Sequence, residues 1–293
     1  MPSEQHEALV EMVSSAPPAA GTLEESRAGY DAMLGMNPMS DDVQIEEVMI
    51  GEVNADWVSV PESDATKAVL HLHGGGYVIG SNVGYREFAS RLARATQSRV
   101  LVLNYRLAPE NPFPAAVDDA VAAYEYILSQ GIAASSIMIS GDSAGGGLTF
   151  ATLVVLRDKG VSLPACATAF SPWVDLECTG ESQAPGAVDD PMVATEALHD
   201  MANNYAAADL RNPLASPLHA NLSGLPPVLV FVGTREILRD DAIRIVDNAQ
   251  AAGADVGPLR QLVGSLDEQA QGAVWPSADE TIVAADVEPA AEA

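Results

Sequence analysis

The chain has 293 residues, 48% of them apolar, which is enough to bury one large core, and it contains no run of about 18 apolar residues that could span a membrane. Its 41 acidic and 14 basic side chains give a formal net charge of −27, which repels nucleic acids and anionic membrane surfaces. We therefore expect no nucleic-acid partner. The acidic residues are spread along the chain, which favours a well-hydrated surface and leaves salt adaptation open.

The two cysteines, Cys166 and Cys178, are too few for a disulfide framework in a chain of this length. The N-terminus is polar and acidic, and it lacks the basic and apolar segments of a secretory signal. Together these features predict reduced thiols and a cytoplasmic location.

Residues 8–34 show helical spacing of apolar side chains interrupted by two prolines, which predicts two short amphipathic helices. Residues 43–50 and 57–60 alternate as a strand pair around a turn region at 51–56. A regular strand-helix alternation follows, and it predicts a mostly parallel sheet with helices on both faces. Its predicted strands are 68–72, 100–103, 137–140 and 165–170, and its predicted helices are 85–96, 115–129 and 148–159.

The alternation breaks in 180–212, which is rich in Ala, Asp and Met and has a helical pattern over 194–205. We interpret this segment as an insertion. The sheet resumes at 227–233, and a further helix is predicted over 240–252. From residue 256 onward the apolar strand expected next is missing, and the last residues have the composition of a disordered acidic tail.

The most informative stretch is the apolar run from Ile137 that ends in Gly141-Asp-Ser-Ala-Gly145 and leads into a helical pattern. In a strand-turn-helix of this kind, the glycines allow a sharp turn that lifts the central hydroxyl away from the sheet. Ser143 is therefore the predicted nucleophile. The alternative is a glycine-rich connection with an incidental serine.

A second strand runs into His73-Gly-Gly-Gly76 about 70 residues upstream. Acyl transfer builds negative charge on a carbonyl oxygen, and glycine runs allow backbone N–H groups to converge on such a charge. We expect the N–H groups of Gly75, Gly76 and Ala144 to form this oxyanion hole.

The sequence resembles the bacterial hormone-sensitive-lipase-like branch of the α/β-hydrolases, whose members are carboxylesterases. The resemblance covers roughly residues 40–255 and rests on four ordered motifs. These are His73-Gly-Gly-Gly76, Asn104-Tyr-Arg-Leu-Ala-Pro-Glu110 with Phe113-Pro-Ala-Ala-Val-Asp-Asp119, Gly141-Asp-Ser-Ala-Gly-Gly146, and Leu225-Pro-Pro-Val with Gly233-Thr-Arg-Glu-Ile-Leu-Arg-Asp240.

The resemblance implies an α/β-hydrolase fold with a helical cap and hydrolysis of short-chain acyl esters through an acyl-enzyme. The sequence has no convincing metal-ligand cluster, phosphate loop or dinucleotide fingerprint, so we expect no cofactor and no metal. His73, Gly74 and Asp142 are expected to support the site, and a homodimer stays open. The expected divisions are N-terminal cap helices at 1–42, core at 43–179, cap insertion at 180–212, core at 213–256 and a divergent tail at 257–293.

A serine nucleophile needs a base, usually a histidine oriented by a carboxylate. In this family the acid follows the strand ending at Gly233, which points to Glu236, with Asp240 and Asp241 as rivals. The family's histidine should come later still, yet no histidine follows His219, so the base is unassigned. His219 precedes the acid and breaks the chain order Ser, acid, His.

Two explanations fit the missing histidine: divergence of the tail, or a reading-frame slip in the gene near residue 257, which translation of the other two frames would test. An esterase without its base is expected to be weak, because the oxyanion hole and substrate binding alone leave only part of the rate acceleration. The alternative functions are a non-catalytic small-ligand-binding relative and, with less support, a peptidase on the same scaffold.

Overall fold

The computed structural model describes residues 10–11 and 21–255. A seven-stranded sheet lies at its centre, in the spatial order β1-β2-β4-β3-β5-β6-β7. Strand β2 pairs antiparallel with β1 and β4, and the remaining neighbours pair in parallel. The strands are β1 (Gln44–Ile50), β2 (Val53–Ser59), β3 (Asp64–Leu72), β4 (Ser98–Leu103), β5 (Ile137–Asp142), β6 (Cys166–Phe170) and β7 (Val228–Phe231).

The helices of the described region connect or cover these strands. They are α1 (Leu23–Leu34), α2 (Arg86–Thr96), α3 (Ala115–Ser129), α4 (Ala144–Asp158), α5 (Thr195–Ala206) and α6 (Arg239–Ala251). Short 3-10 turns occur at Ala134–Ser136, Glu181–Gln183 and Pro217–His219. Thr22 caps the N-terminus of helix α1: its hydroxyl accepts a hydrogen bond from the Glu25 N–H at 3.2 Å, and the Glu25 carboxylate accepts one from the Thr22 N–H at 2.7 Å.

Alternate side chains of β4 enter two separate cores, because successive residues of a strand point to opposite faces. Leu101 and Leu103 belong to the larger core, to which α3, α4 and α6 contribute. Val100 and Val102 pack with α2 on the other face. The predicted mostly parallel sheet, covered by helices on both faces, is confirmed.

The predicted turn at 51–56 is too long, because β2 begins at Val53 rather than Trp57. The turn occupies only two residues, and Gly51 supplies the positive φ of 62° that it needs. The sequence did not reveal the first half of β2, because a buried carboxylate such as Asp56 is unusual in a strand. Asp56 is 0% exposed and pairs with Arg86 at 2.7 Å.

Helix α4 begins at Ala144, four residues before the predicted start at Leu148. Glycines have low helix propensity, so the run at 145–147 suggested a loop. Close packing explains why glycines are used inside this helix. A Cβ on Gly147 would collide with the Trp173 carbonyl, and one on Gly146 would lie 2.9 Å from the Cα of Pro172.

The other boundaries differ from prediction by a few residues. The largest difference is in β3, which begins at Asp64 instead of Ala68, and Asp64 pairs with Ser98. Most of the first predicted N-terminal helix and the tail at 257–293 lie outside the described residues. Within 21–255, none of the helices combines the length and the apolar character required to cross a lipid bilayer.

Candidate active site

The candidate nucleophile lies at the carboxyl end of the sheet, in the turn between β5 and α4. Ser143 has φ 52° and ψ −118°, a conformation that side-chain-bearing residues rarely adopt. Its N–H donates to the carbonyl of Phe170 at 2.8 Å, and its carbonyl accepts from the Trp173 N–H at 2.9 Å. Backbone bonds on both sides therefore fix the strained turn, and Ser143 stays partly exposed.

The loop of residues 73–80 follows the neighbouring strand β3, and we call it the oxyanion loop because it carries the expected oxyanion donors. Gly75 and Gly76 have φ values of 110° and 61°, which only glycine adopts without strain. The Gly75 carbonyl accepts from the N–H groups of Val78 and Ile79, at 3.0 and 2.9 Å, so the loop closes on itself. Within the described residues, the N–H groups of Gly75 and Gly76 have no hydrogen-bond partner in the protein.

His73 supports the oxyanion loop through hydrogen bonds and a ring contact. Its Nδ1 lies 2.7 Å from the Gly74 carbonyl and must carry the proton, since the carbonyl can only accept. The ring stacks on Tyr105 with centroids 4.2 Å apart, and the Tyr105 hydroxyl donates to the His73 carbonyl at 2.7 Å. Burial lowers the pKa of His73 to about 4, so the ring is neutral near pH 7.

Asp142 connects this loop to the strained turn at residues 141–145, which carries Ser143 and which we call the elbow. Its carboxylate accepts from the Gly74 N–H at 3.0 Å and from the Tyr85 hydroxyl at 2.7 Å. The fully buried His71 lies behind it, with Nε2 3.5 Å from Asp142 Oδ1. Asp142, which precedes the predicted nucleophile, therefore binds Gly74, which precedes the predicted oxyanion donors.

Glu236 follows β7 at the same end of the sheet, two strands from the elbow. Its carboxylate accepts from the Gly233 N–H at 2.6 Å and from the Ser171 hydroxyl. Burial raises the pKa of Glu236, and these two hydrogen bonds lower it in part. Ser171 follows β6, which lies between β5 and β7. The carboxyl ends of the neighbouring strands β5, β6 and β7 therefore bring the elbow and this carboxyl group to the same end of the sheet.

The rival carboxylates bind elsewhere in the fold. Asp240 accepts from the Ser182 N–H at 2.9 Å. Asp241 is fully buried and accepts from the N–H groups of Val174 and Asp175 at 2.8 and 2.9 Å. Both carboxylates therefore accept hydrogen bonds from the segment 174–182, which follows β6.

The remaining histidines of the described region lie in other surroundings. His199 is exposed on α5. His219 ends a 3-10 turn, and a ring nitrogen lies within 4.8 Å of carboxylate oxygens of Asp175 and Glu177. This is the one group in 21–255 close enough to hold a metal ion, but both carboxylates pair with arginines. Arg244 binds Asp175 at 2.9 Å, and Arg211 binds Glu177 at 3.0 Å.

Helix α5 lies over the oxyanion loop. A Cβ on Gly76 would collide with the Met201 sulfur, so Met201 lies directly against the loop. One turn further on, Tyr205 stacks on Tyr77 with centroids 3.8 Å apart and planes 4° from parallel. The segment interpreted as an insertion therefore covers one side of the site.

Sequence reasoning did not identify Tyr30, Tyr85 or Ser171 as site residues. Tyr30 and Tyr85 are 55 positions apart, and their hydroxyl oxygens lie 3.3 Å from each other. No periodicity or spacing in the sequence signals such a pair. Ser171 could have been considered because it directly follows a strand at the sheet edge that carries the elbow.

The family model described as alpha/beta hydrolase fold matches residues 69–261. The chain is 44% identical to an acetyl-hydrolase of Streptomyces hygroscopicus over 243 residues, covering 80% of this chain and 79% of the relative. It superposes on a crystal structure of an esterase from the bacterial hormone-sensitive lipase family with a TM-score of 0.85. The chain belongs to this family.

That esterase structure is 40% identical, and the match covers 92% of this chain and 98% of the other. A further relative, an esterase of Acinetobacter venetianus, is 35% identical over 232 residues, covering 78% of this chain and 76% of the relative. The chain is accordingly an α/β-hydrolase and a carboxylic ester hydrolase. These relatives favour an enzyme over the non-catalytic ligand-binding alternative.

Proposed function

We propose that this esterase hydrolyses short-chain acyl esters through a covalent acyl-enzyme on Ser143. The observation that carries the proposal is the strained turn at Ser143, which is held by hydrogen bonds from two sides. Strain of about 1 to 3 kcal/mol persists only where the surrounding structure imposes it, and it is concentrated at functional sites.

In the proposed reaction, the Ser143 hydroxyl attacks the ester carbonyl carbon and its proton passes to a base. The carbonyl oxygen becomes negatively charged, and the N–H groups of Gly75, Gly76 and Ala144 bind it. The N–H groups of Gly75 and Gly76 have no partner among the described residues, which supports this role. Each oxyanion donor lowers the barrier by roughly 3 kcal/mol. As the adduct collapses, the C–O bond to the leaving group breaks, and the base returns its proton to the departing alcohol. Water then attacks the acyl-enzyme, which releases the carboxylic acid and restores the Ser143 hydroxyl.

Glu236 is the proposed acid of the triad, and the base stays unassigned. The bonds from Ser171 and Gly233 to Glu236 would orient its carboxylate for a basic group at the sheet edge. His73 is unsuited as the base, because burial lowers its pKa and its unprotonated nitrogen, Nε2, is buried with no hydrogen-bond partner among the described residues, Ser143 included.

The preference for a short acyl chain is also part of the proposal. Met201 lies against the oxyanion loop, and the Tyr77–Tyr205 stack is close beside it. Side chains so near Gly76 leave less room for a long chain. A relative that is 44% identical is named an acetyl-hydrolase, which agrees with this preference.

Turnover of p-nitrophenyl acetate, butyrate and longer esters by the purified protein tests the proposal. Ser143→Ala should abolish most of the activity, and phenylmethylsulfonyl fluoride should add a single sulfonyl group to Ser143, detected by mass spectrometry. The matched control is Ser129→Ala, because Ser129 lies exposed at the end of α3. Activity that survives unchanged in Ser143→Ala would refute the serine mechanism.

A further inference from the structure

A chain of hydroxyl groups joins the N-terminal helix α1 to the oxyanion loop. The Tyr30 hydroxyl lies 3.3 Å from the Tyr85 hydroxyl, which in turn lies 2.7 Å from Asp142 Oδ2. The Gly74 N–H completes the network, at 3.0 Å from the Tyr85 oxygen and 3.0 Å from Asp142 Oδ1. All four groups are buried or partly buried.

The direction of each hydrogen bond follows from counting protons. A tyrosine hydroxyl has one proton, and a carboxylate can only accept, so the Tyr85 proton points to Asp142. Tyr30 must therefore donate to Tyr85, and the Gly74 N–H donates to both oxygens. The Tyr85 oxygen thus accepts two hydrogen bonds and donates one, which uses its full capacity.

This arrangement fixes the direction of the Gly74 N–H towards Tyr85 and Asp142. Gly74 has no space for a side chain, since a Cβ would collide with the Asp142 carboxylate and lie 3.0 Å from the Tyr85 oxygen. The planar peptide groups that follow carry the N–H groups of Gly75 and Gly76. A small rotation at Gly74 would therefore turn both expected oxyanion donors.

Helix α1 is itself fastened to the loop. Arg27 donates to the carbonyls of Val78 and Ala108, each at 2.9 Å, and forms an ion pair with Glu110 at 2.8 Å. Ser81 donates to Asp31 at 2.7 Å. These bonds hold the helix on both sides of Tyr30, so its hydroxyl is a fixed donor.

The Tyr85 hydroxyl keeps its proton under alkaline assay conditions. Burial, together with the nearby Asp142, raises the pKa of Tyr85 well above its ordinary value. The network can therefore operate throughout the pH range in which ester hydrolysis is measured.

We infer that Tyr30 and Tyr85 are positioning residues that align the oxyanion donors through Gly74. The N-terminal helix thereby contributes to the reaction without touching the substrate. The inference rests on the proposed serine mechanism, since it concerns the amides that would bind the tetrahedral adduct. It predicts that Tyr85 helps to stabilise the transition state and has little effect on the binding of the substrate in the ground state.

The test compares Tyr85→Phe and Tyr30→Phe with Tyr124→Phe as the matched control. Tyr124 is a buried tyrosine whose hydroxyl donates to the Ser162 carbonyl at 2.7 Å, away from the loop. Steady-state kinetics with p-nitrophenyl acetate give kcat and KM. Ethyl trifluoromethyl ketone, which forms a hemiketal oxyanion with a serine, measures affinity for the tetrahedral adduct, and thermal unfolding checks the fold.

For Tyr85→Phe, we expect kcat to fall about ten- to a hundred-fold, because a hydrogen bond to a charged group is lost. Ketone affinity should fall by the same factor while KM stays within about two-fold, since the loss is confined to the transition state. Tyr30→Phe should show the same pattern at about two- to ten-fold, as expected for a bond between neutral groups. Tyr124→Phe should match the parent.

Two results would overturn the inference: ketone affinity unchanged in both variants, or a loss of kcat matched by the Tyr124→Phe control. If Tyr85→Phe does not fold, Tyr30→Phe decides alone, because it removes only the outer hydroxyl. If the parent shows no Ser143-dependent turnover, the proposed function fails. The ketone titration, followed by fluorine NMR, still reports whether Tyr85 aligns the amides.

Discussion

Gly145 packs its Cα against the carbonyl oxygen of Leu72, so closely that an added Cβ would overlap that oxygen. The contact joins the first turn of α4 to the end of β3. A Cβ on Gly141 would similarly overlap the Gly145 carbonyl. Both glycines of the Gly-x-Ser-x-Gly motif are therefore required by backbone-to-backbone packing around Ser143.

Gly145→Ala should destabilise the protein by about 1 to 3 kcal/mol or more, because the obstructing atoms are backbone and cannot rotate away. Urea denaturation measures the free energy of unfolding. Gly29→Ala is the matched control, since Gly29 lies in α1 with no atom near its missing Cβ. Alanine there should raise stability by roughly 0.5 to 1 kcal/mol. Equal effects at the two positions would contradict the packing argument.

The conformation of Ser143 predicts a conflict between stability and function. Glycine accepts φ 52° more readily than a residue with a Cβ, so Ser143→Gly should be more stable than Ser143→Ala by about 1 kcal/mol. Both variants lack the hydroxyl, so the comparison isolates the backbone. Chemical denaturation of the two proteins under one condition measures the difference, and an alanine variant as stable as the glycine variant would argue against strain.

His73 should make stability depend on pH. Burial lowers the pKa of His73 to about 4 in the folded protein, whereas an unfolded chain titrates near ~6.5. The unfolded state therefore gains its proton first as pH falls. The stability that comes from the neutral ring is fully present above pH ~6.5 and is lost as the pH drops towards the folded value.

Between pH ~7 and ~5 this linkage amounts to about 2 kcal/mol. The free energy of unfolding should consequently fall more steeply over that interval in the parent than in His73→Gln. His199→Gln, at an exposed position on α5, should keep the steep dependence of the parent. Identical slopes in all three proteins would show that His73 titrates normally.

The unassigned base predicts rescue by an external one. No histidine follows His219 in the sequence, and the unprotonated Nε2 of His73 is buried without a hydrogen-bond partner in the described region. Added imidazole should therefore accelerate Ser143-dependent hydrolysis of p-nitrophenyl acetate, with a rate that saturates as the imidazole concentration rises. Ser143→Ala measures the direct reaction of imidazole with the ester. The Ser143-dependent rate is the parent rate minus the rate of this control. If added imidazole left that difference unchanged, the chain would supply its own base.

Much of the fold could be predicted because its signals are local. The apolar run from Ile137 and the pattern over Ala115–Ser129 gave a strand and a helix close to those observed. Prediction failed where tertiary contacts override local preference. Asp56 can be a buried strand residue because Arg86 pairs with it, and the helix after Ala144 contains glycines because neighbouring backbone lies too close for a Cβ.

The candidate site could be predicted only in part, for the same physical reason. Ser143, Gly75 and Gly76 lie in short motifs whose composition reflects a local backbone requirement. The partnership of Tyr30 with Tyr85 depends on where helix α1 docks, and no short-range pattern encodes that docking. Hydroxyl networks between distant segments therefore emerge only when the chain is folded.

Within the described residues, strand β1 is an edge of the sheet, and its outer row of peptide groups could pair with another molecule. Glu46 and Glu47 lie on this strand with side chains 68% and 79% exposed, and they form ion pairs with Arg99 at 3.0 Å and with Arg86 at 3.2 Å. A second β1 pairing edge to edge would crowd these charged groups and remove water from them, which discourages strand addition. The charged side chains thus oppose aggregation at this strand, and valine at positions 46 and 47 would remove that effect.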